Sequence, residues 1–209
     1  MAGERTVEVD PHRVVRWVTG FGRRHGEPSF GRDGDSVVLE APDGATAVLS
    51  TWPGARDAVV HGLADLEDWS RPPTRLGLVL VRRGGYAVGT AQDADLVTHK
   101  TGTRYVQSRT AAGGWSQQRF ARRRGNQADE LVGAVTEHVR RLVLPAHVDG
   151  LVLGGDRALA AQVLKDPRLA HLADASRREL YDLPDPRLRV LEEALRRGRA
   201  VRIKISDPS

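Results

Sequence analysis

The sequence predicts an α/β protein, in which a domain with a mixed β-sheet follows a small N-terminal α+β region. A continuous apolar run at Leu76–Arg82 is typical of a central strand covered on both faces. After this run, several strands follow one another and then alternate with helices, which is the order expected of a mixed sheet. The residues from Ser70 to Pro73 interrupt the pattern. We therefore divide the chain into residues 1–70 and 74–209.

The N-terminal region begins with an amphipathic helix predicted over residues 10–25. Asp10 is suited to cap this helix and Pro11 to occupy its first position. Apolar side chains recur on one face from Val14 to Phe21. Two strands joined by a Pro-Asp-Gly turn and a short helix complete the region, at Ser36–Ala41, Ala45–Trp52 and 54–65.

Residues 74–209 contain the remaining predicted elements. The strands lie at Leu76–Arg82, Tyr86–Ala91, Leu96–Lys100, Thr103–Arg109, Gly150–Leu153 and Ala200–Ile205. A long helix begins near Gln118, is interrupted near Gly125 and ends before Pro145, and shorter helices follow at 157–165 and 187–197. The glycine pair before Asp156 lacks the Lys-Ser/Thr of a phosphate loop, so we interpret Asp156 as a helix N-cap.

Composition excludes several classes of protein and site. The 209 residues include no cysteine, which excludes disulfides and thiolate metal sites. The N-terminus carries no apolar signal region and no apolar run reaches the length of a membrane span, so we expect a cytoplasmic protein without membrane contact. The histidines lack the spacing of metal ligands, and the strand Leu76–Arg82 lacks the carboxylates of a two-metal nuclease. We expect no metal and no cofactor.

The most informative stretch is a basic segment without acidic residues, from Leu96 to Ala128. Its charge of +7 exceeds the +5 of the whole chain. The cations are Lys100, Arg104, Arg109, Arg119, Arg122, Arg123 and Arg124. Such a concentration is the footprint expected of a contact with nucleic acid. The competing interpretation is a solvated helix face, which arginine-rich runs often form.

Within this segment, Gly113 and Gly114 are followed by Trp115, Gln117 and Gln118. None of these side chains is a nucleophile or a strong base. Glycine permits close approach of the backbone, and a glutamine amide offers one acceptor and two donors that can orient a water molecule near an ester. The indole of Trp115 is suited either to stack on a base or to anchor the segment to its own domain.

Gly113-Gly114 and Arg119-Phe120-Ala121-Arg122 together resemble the catalytic loop of archaeal and eukaryotic class-1 translation release factors. In that loop a Gly-Gly-Gln tip precedes an Arg-Phe-Ala-Arg helix start. Here Trp115 follows the glycines, and the glutamine is displaced to Gln117 or Gln118. This displaced form is similar to the actinobacterial branch of the release-factor-like peptidyl-tRNA hydrolases of ribosome quality control, the VLRF group.

The resemblance covers residues 74–209. It implies a ribonuclease H-like sheet with helices on both faces, and hydrolysis of the ester between a nascent peptide and its tRNA on stalled large ribosomal subunits. It also implies that Gln117 is catalytic together with Gly113 and Gly114, while the choice between Gln117 and Gln118 stays open. RNA contacts are expected from Arg109, Trp115, Gln118, Arg119, Arg122, Arg123 and Arg124.

The expected partners are the large (50S) ribosomal subunit and peptidyl-tRNA, bound by a monomer. Two alternatives remain from the sequence. One is a non-catalytic ribosome- or RNA-binding module that keeps the Gly-Gly loop as a contact surface. The other is an RNA-processing enzyme on a nuclease-like fold, against which the missing strand carboxylates argue.

Overall fold

A computed structural model describes residues 3–54, 60–103 and 115–208, with side chains described from residue 127 onward in the last of these ranges. The chain forms two compact units. The first contains Met1–Pro73 together with Arg199–Ser209, and the second contains Thr74–Gly198. The first unit is therefore assembled from both ends of the chain.

The first unit is an antiparallel sheet with two helices. Its strands are β1 (Glu4–Val9), β2 (Ser29–Asp33), β3 (Ser36–Glu40), β4 (Thr46–Ser50) and β10 (Val201–Ser206), and its helices are α1 (Val14–His25) and α2 (Leu63–Trp69). The strand order is β1-β10-β4-β3-β2. Inward side chains of the sheet and of both helices form one apolar core, which includes Phe21, Leu39 and Leu66.

Helix α1 forms where the sequence predicts it. The Asp10 carboxylate accepts a hydrogen bond from the backbone N–H of His12 at 2.9 Å, and a single 3-10 turn at Pro11–Arg13 leads into the helix. Val14, Val18 and Phe21 are buried against the core. The helix ends at Gly26, whose φ of 92° is a conformation that glycine adopts readily. Capping and amphipathic spacing thus predict this element correctly.

Three features of the first unit differ from the sequence prediction. Strands β1 and β2 were not predicted, because their sequences are rich in charged and small residues and their side chains are mostly exposed. The short helix predicted at 54–65 is α2, which begins at Leu63, while residues 55–59 lie outside the described structure. The last strand, β10, pairs with β1 and β4 rather than with the strands of residues 74–209.

The second unit is a mixed sheet covered by helices on both faces, which confirms the predicted fold class. Its elements are β5 (Arg75–Arg82), β6 (Gly85–Gln92), β7 (Asp95–Thr103), α3 (Trp115–His138), β8 (Gly150–Gly155), α4 (Arg157–Leu164), α5 (Ala170–Ala173), β9 (Arg177–Leu180) and α6 (Leu188–Arg199). The strand order is β7-β6-β5-β8-β9. Strands β5, β8 and β9 are parallel, and β6 and β7 run antiparallel to their neighbours.

Strand β5 is central and buried on both faces, as its continuous apolar sequence predicts. Helices α3 and α4 cover the face that includes Val79 and Val81. Helix α6 covers the opposite face, since a Cβ atom placed at Gly198 would lie 2.6 Å from Val152 Cγ2. Strand β9 and the four-residue helix α5 were not predicted; their sequences are too short to show a period.

Helix α3 continues through Gly125, where the sequence predicts an interruption. The departure from α-helical geometry comes later, as a π-helical turn at Val139–Val143. This wider turn keeps both Val139 and Val143 buried in the core that also contains Leu131 and Val135.

Strand β7 is one strand rather than the two predicted around Gly102, because pairing with β6 continues through that glycine. Residues 104–109 of the second predicted strand lie outside the described structure. Within the described residues, no helix has the length and apolar character needed to span a bilayer.

Candidate RNA-contacting site at the end of the edge strand

The basic segment begins in β7, which ends at Thr103, and extends into the N-terminal half of α3. Three predicted site residues, Arg109, Gly113 and Gly114, fall outside the described structure. The others lie in the first three turns of α3 and are described by backbone alone: Trp115, Gln117, Gln118, Arg119, Arg122, Arg123 and Arg124. The fold therefore connects the glycine pair to an edge strand on one side and to a long helix on the other.

The start of α3 lies earlier than the sequence predicts. Helical backbone begins at Trp115 rather than near Gln118, so Gln117 is the third helical residue instead of a loop residue. At this position glutamine side chains often reach back to the backbone N–H of the N-cap residue. A structural role as a capping residue is thus an alternative to a catalytic role for Gln117, and an experiment has to separate the two.

Helix α3 is held on the sheet by its C-terminal half. Leu131 and Val135 are fully buried against the sheet, and Ala128 packs at the edge of the same core. At 1.5 Å per residue, Trp115 lies about 20 Å along the helix axis from Ala128.

Strand β7 is the outermost strand of its sheet and is paired on one side only, with β6. Most of its side chains are exposed, and Val97 is 62% exposed. His99 and Lys100 are both exposed. The hydroxyl of Thr98 on β7 forms a 2.8 Å hydrogen bond with the hydroxyl of Thr90 on β6. The described part of the basic segment therefore presents one cation, Lys100, on an accessible strand.

Tyr86 on β6 connects the sheet to the end of α3. Its hydroxyl lies 2.9 Å from Nε2 of His138, and the two rings are stacked with centroids 5.1 Å apart. A Cβ atom at Gly102 would lie 2.5 Å from the Tyr86 ring, so glycine at this position lets the ring lie across β7. Tyr86, which lies on β6, thereby contacts both the end of α3 and the end of β7.

The electrostatic surroundings favour the neutral form of His138. Burial lowers the pKa of His138, and the positive charges of Lys100 and Arg141 lower it further, against a smaller opposing effect of Glu137. Glu137 itself accepts hydrogen bonds from Arg140 and Arg141, which lower its pKa to about 2. The Tyr86–His138 pair was not predicted, because the two residues are 52 positions apart and form no recognisable motif.

One other predicted feature of the second unit lies outside the basic segment. Asp156 caps α4 as predicted, accepting hydrogen bonds from the N–H groups of Ala158 and Leu159. A cleft of about 330 Å³ opens beside this cap; it is lined by Arg82, Arg83, Gly84, Gly155, Asp156 and Asp185. Among the described residues, no three His, Asp or Glu side chains are grouped as metal ligands would be.

Comparison with known proteins adds a family assignment. Residues 74–204 match the family model described as the Actinobacteria/chloroflexi VLRF1 release factor. The matched range begins at β5 and includes the whole basic segment. No curated protein matches the chain.

Several solved structures are similar at low sequence identity. The Vms1 mitochondrial localization core has 13% identity and a TM-score of 0.46, with 90% of this chain and 80% of that chain covered. The archaeal translation termination factor aRF1 has 14% identity and a TM-score of 0.42, with 93% of this chain and 64% of that chain covered. A further archaeal protein has 12% identity and a TM-score of 0.36, with 91% of this chain and 63% of that chain covered.

Proposed function

The chain belongs to the Actinobacteria/chloroflexi VLRF1 release factor family, and we propose that it is a peptidyl-tRNA hydrolase. In this proposal it releases nascent peptides from tRNA on stalled large ribosomal subunits, in the cytoplasm and as a monomer. The observation that carries the proposal is the segment from Gly113 to Arg124. It combines a glycine pair, two glutamines and an arginine-rich helix start in a member of a release factor family.

The proposed reaction is attack of water on the ester that joins the peptide to the tRNA. Gly113 and Gly114 allow the backbone to approach the ester closely. The amide of Gln117 orients the water through its acceptor oxygen and its two N–H donors. Since none of these groups is a strong acid or base, the RNA of the ribosome supplies the proton transfers. The protein contributes position rather than a nucleophile, and no cofactor or metal ion is required.

The proposed docking groups surround the reacting residues in sequence. They are Arg109, Trp115, Gln118, Arg119, Arg122, Arg123 and Arg124. Arginines bind phosphates with charge-assisted and often bidentate hydrogen bonds, and Trp115 offers a face for base stacking. Lys100, which is exposed on β7, is the cation of the same basic segment within the described side chains.

The architecture of the second unit suits this role. The basic segment begins in an edge strand and continues into α3. The C-terminal half of this helix is fixed by Leu131, Val135 and the Tyr86–His138 hydrogen bond. A site carried by rigid elements loses less orientational freedom when it meets its substrate than a site on an unsupported loop.

One observation favours a second candidate function, a non-catalytic ribosome- or RNA-binding module. Trp115 occupies the position after the glycines, and helical backbone already includes Gln117. A glutamine that caps α3 would leave the segment as a contact surface without chemistry. Peptide release distinguishes the two candidates, because binding alone produces no free peptide.

The test is release of labelled peptide from peptidyl-tRNA on isolated 50S subunits. We expect wild-type protein to release the peptide and Gln117→Ala to lose on the order of 10²–10³-fold in rate, the range seen when one orienting group of an active site is removed. Binding to the subunits should change less than a few-fold. Gln117→Glu is the matched control for the capping role, since glutamate also caps at this helical position but lacks the amide donors.

The control outcomes are specific. If Gln117→Glu retains full release, the amide donors are dispensable and the proposed role of Gln117 is wrong. If Gln118→Ala is the inactive variant instead, the reacting glutamine is the neighbouring one. A gel that resolves tRNA length by one nucleotide separates ester hydrolysis from RNA cleavage, and shortened tRNA would contradict the hydrolase proposal.

A further inference from the structure

Helix α1 in the first unit carries an exposed arginine face that the release reaction does not use. Its members are Arg13, Arg16, Arg23 and Arg24, all exposed to solvent. Arg13 is the N-cap residue of α1, and the other three follow at helical spacing on one side of it. From Arg13 to Arg24 the face is about 16 Å long, enough to reach several successive phosphates of one nucleic-acid strand.

The arginine face is free of opposing charge. Within the described residues, none of its four side chains forms an ion pair, whereas exposed Arg5, Arg75 and Arg168 each pair with a carboxylate. No Asp or Glu occurs from His12 to Gly26. The positive charge of the face is therefore not neutralised by ion pairs among the described residues of the first unit.

Helix α6 shows what an ordinary solvated face looks like in the same protein. Its exposed or half-buried charged residues are of both signs, with Glu192 and Glu193 between Arg189 and Arg196. Such mixed faces are expected of helices that meet only water. The arginine face of α1 differs in being cationic throughout.

Gly20 lies in the middle of the arginine face. A Cβ atom at this position would meet no atom within 4 Å, so packing inside the protein does not require a glycine there. Glycine in a helix interior is less favourable than alanine by up to about fivefold in equilibrium constant. A bare backbone patch between arginines instead suits a ligand that approaches the helix closely.

The chemistry of the face favours RNA over a lipid surface or an acidic protein. The large apolar residues Val14, Val18 and Phe21 point into the core, so α1 has no apolar face free to insert between lipids. The centres of protein interfaces are typically apolar or aromatic, and the arginine face has no exposed apolar residue between its cations. Guanidinium groups without carboxylate partners are well matched to the phosphate backbone of a structured RNA.

We propose that the arginine face of α1 is a second RNA-docking surface, which binds the phosphate backbone of double-stranded RNA. This inference goes beyond the hydrolase proposal, since it concerns the first unit and stands whether or not Gln117 acts on the ester. The surface supplies affinity without sequence specificity, as expected where a protein binds phosphates rather than base edges.

The test compares two variants of the full chain that lower the net charge equally. The first replaces Arg13, Arg16, Arg23 and Arg24 with glutamine, and the control replaces Arg177, Arg187, Arg189 and Arg196, which are also exposed. Glutamine and arginine have similar helix propensities, so the helices are preserved. Binding is measured to a labelled RNA duplex of about 20 base pairs over a range of salt concentrations.

We expect the α1 variant to bind the duplex on the order of tenfold or more weakly, and its salt slope to fall by about 0.9 for each phosphate that is no longer bound. The control variant should stay within about twofold of wild type, since it removes charge without removing a docking group. Equal weakening in both variants would mean that only net charge matters. Unchanged affinity in the α1 variant would mean that the arginines form a solvated face.

Two further measurements complete the test. Circular dichroism of both variants should match wild type, and an Arg13/Arg16 pair variant provides a milder change if the quadruple variant fails to fold. Vesicles with roughly one-third phosphatidylserine test the lipid alternative. If replacing the arginines weakened vesicle binding and left RNA binding unchanged, the proposed ligand would be wrong.

Discussion

The protein has two cationic regions that are alike in composition and different in construction. The basic segment leads from an edge strand through a glycine pair into the first turns of α3, and contains two glutamines. The arginine face belongs to α1, a helix preceded by a 3-10 turn that Asp10 caps and fixed along its other side by Val14, Val18 and Phe21. Both regions lack acidic residues, but only the basic segment contains neutral amide side chains, which offer a water molecule both donors and an acceptor.

The difference teaches that positive charge alone does not identify a reacting site. Arginines guide a protein to RNA and hold it there, and both regions have them. A reaction at an ester further requires neutral donors and acceptors at a defined position, which glutamine supplies. On this view the basic segment provides position and chemistry, whereas the arginine face provides affinity.

The largest expected effect separates these two contributions in the release reaction. We predict that replacing Arg119, Arg122, Arg123 and Arg124 with alanine lowers peptide release on the order of a hundredfold, even at saturating protein, because the reacting segment is misplaced. Replacing the four arginines of α1 with glutamine should raise the protein concentration needed for half-maximal release and leave the maximal rate near that of wild type.

Single-turnover release on 50S subunits, measured over a range of protein concentrations, distinguishes the two effects. The salt dependence of binding should also fall in both variants, by about 0.9 for each phosphate that is no longer bound. If both arginine sets changed only the concentration dependence, the arginines of α3 would serve affinity alone. The contrast between the two regions would then rest on the glutamines.

The sequence predicts those parts of the fold that local patterns determine. Strand β5 is recognisable because a strand buried on both faces must be apolar throughout, and Asp156 because a helix start needs an acceptor. The pairing of β10 with β1 is not predictable in this way. Its alternating pattern specifies a strand with one buried face but not which sheet it joins.

The sequence likewise predicts some features of the candidate site and not others. The residue types and spacing of the basic segment predict an RNA contact, and its glycine pair and Arg-Phe-Ala-Arg helix start indicate the release factor family whose model matches the chain. The start of α3 at Trp115 was not predicted, because no strong capping residue precedes it in the sequence and arginines and glutamines are compatible with either a loop or a helix. The Tyr86–His138 hydrogen bond was not predicted because it depends on how the end of α3 packs against β6.

A smaller effect concerns the stability that the Tyr86–His138 hydrogen bond contributes. We predict that Tyr86→Phe lowers the free energy of unfolding by about 1 kcal/mol, the typical net value of one hydrogen bond.

Burial and neighbouring cations lower the pKa of His138, so the folded protein binds a proton at His138 less readily than the unfolded chain does. The contribution of His138 to stability is therefore fully present above its unfolded pKa of about 6.5 and is lost as the pH falls through the lower folded pKa.

Urea unfolding between pH 7.5 and 5.5 measures this dependence. His138→Asn should flatten the decline over that window, while the lowered pKa of Glu137, about 2, acts only at more acidic pH. An unchanged decline in His138→Asn would assign the pH dependence to another group. Because α1 lies in the first unit, the same substitution should leave duplex RNA binding by the arginine face unaltered.

The smallest effect concerns the arginine face itself. Gly20→Ala should raise the free energy of unfolding by about 0.5–1 kcal/mol, because alanine is the better helix former and the added methyl group meets no neighbouring atom. Gly133→Ala is the matched control, since Gly133 also lies within a helix and its Cβ atom would also meet nothing within 4 Å. Thermal melting should show similar stabilisation in both variants.

Duplex RNA affinity should fall in Gly20→Ala alone, because a methyl group between the arginines obstructs close approach of the phosphate backbone. If Gly20→Ala were stabilised with its affinity unchanged, the RNA would not approach the helix backbone there, and the proposed docking would depend on the long arginine side chains only.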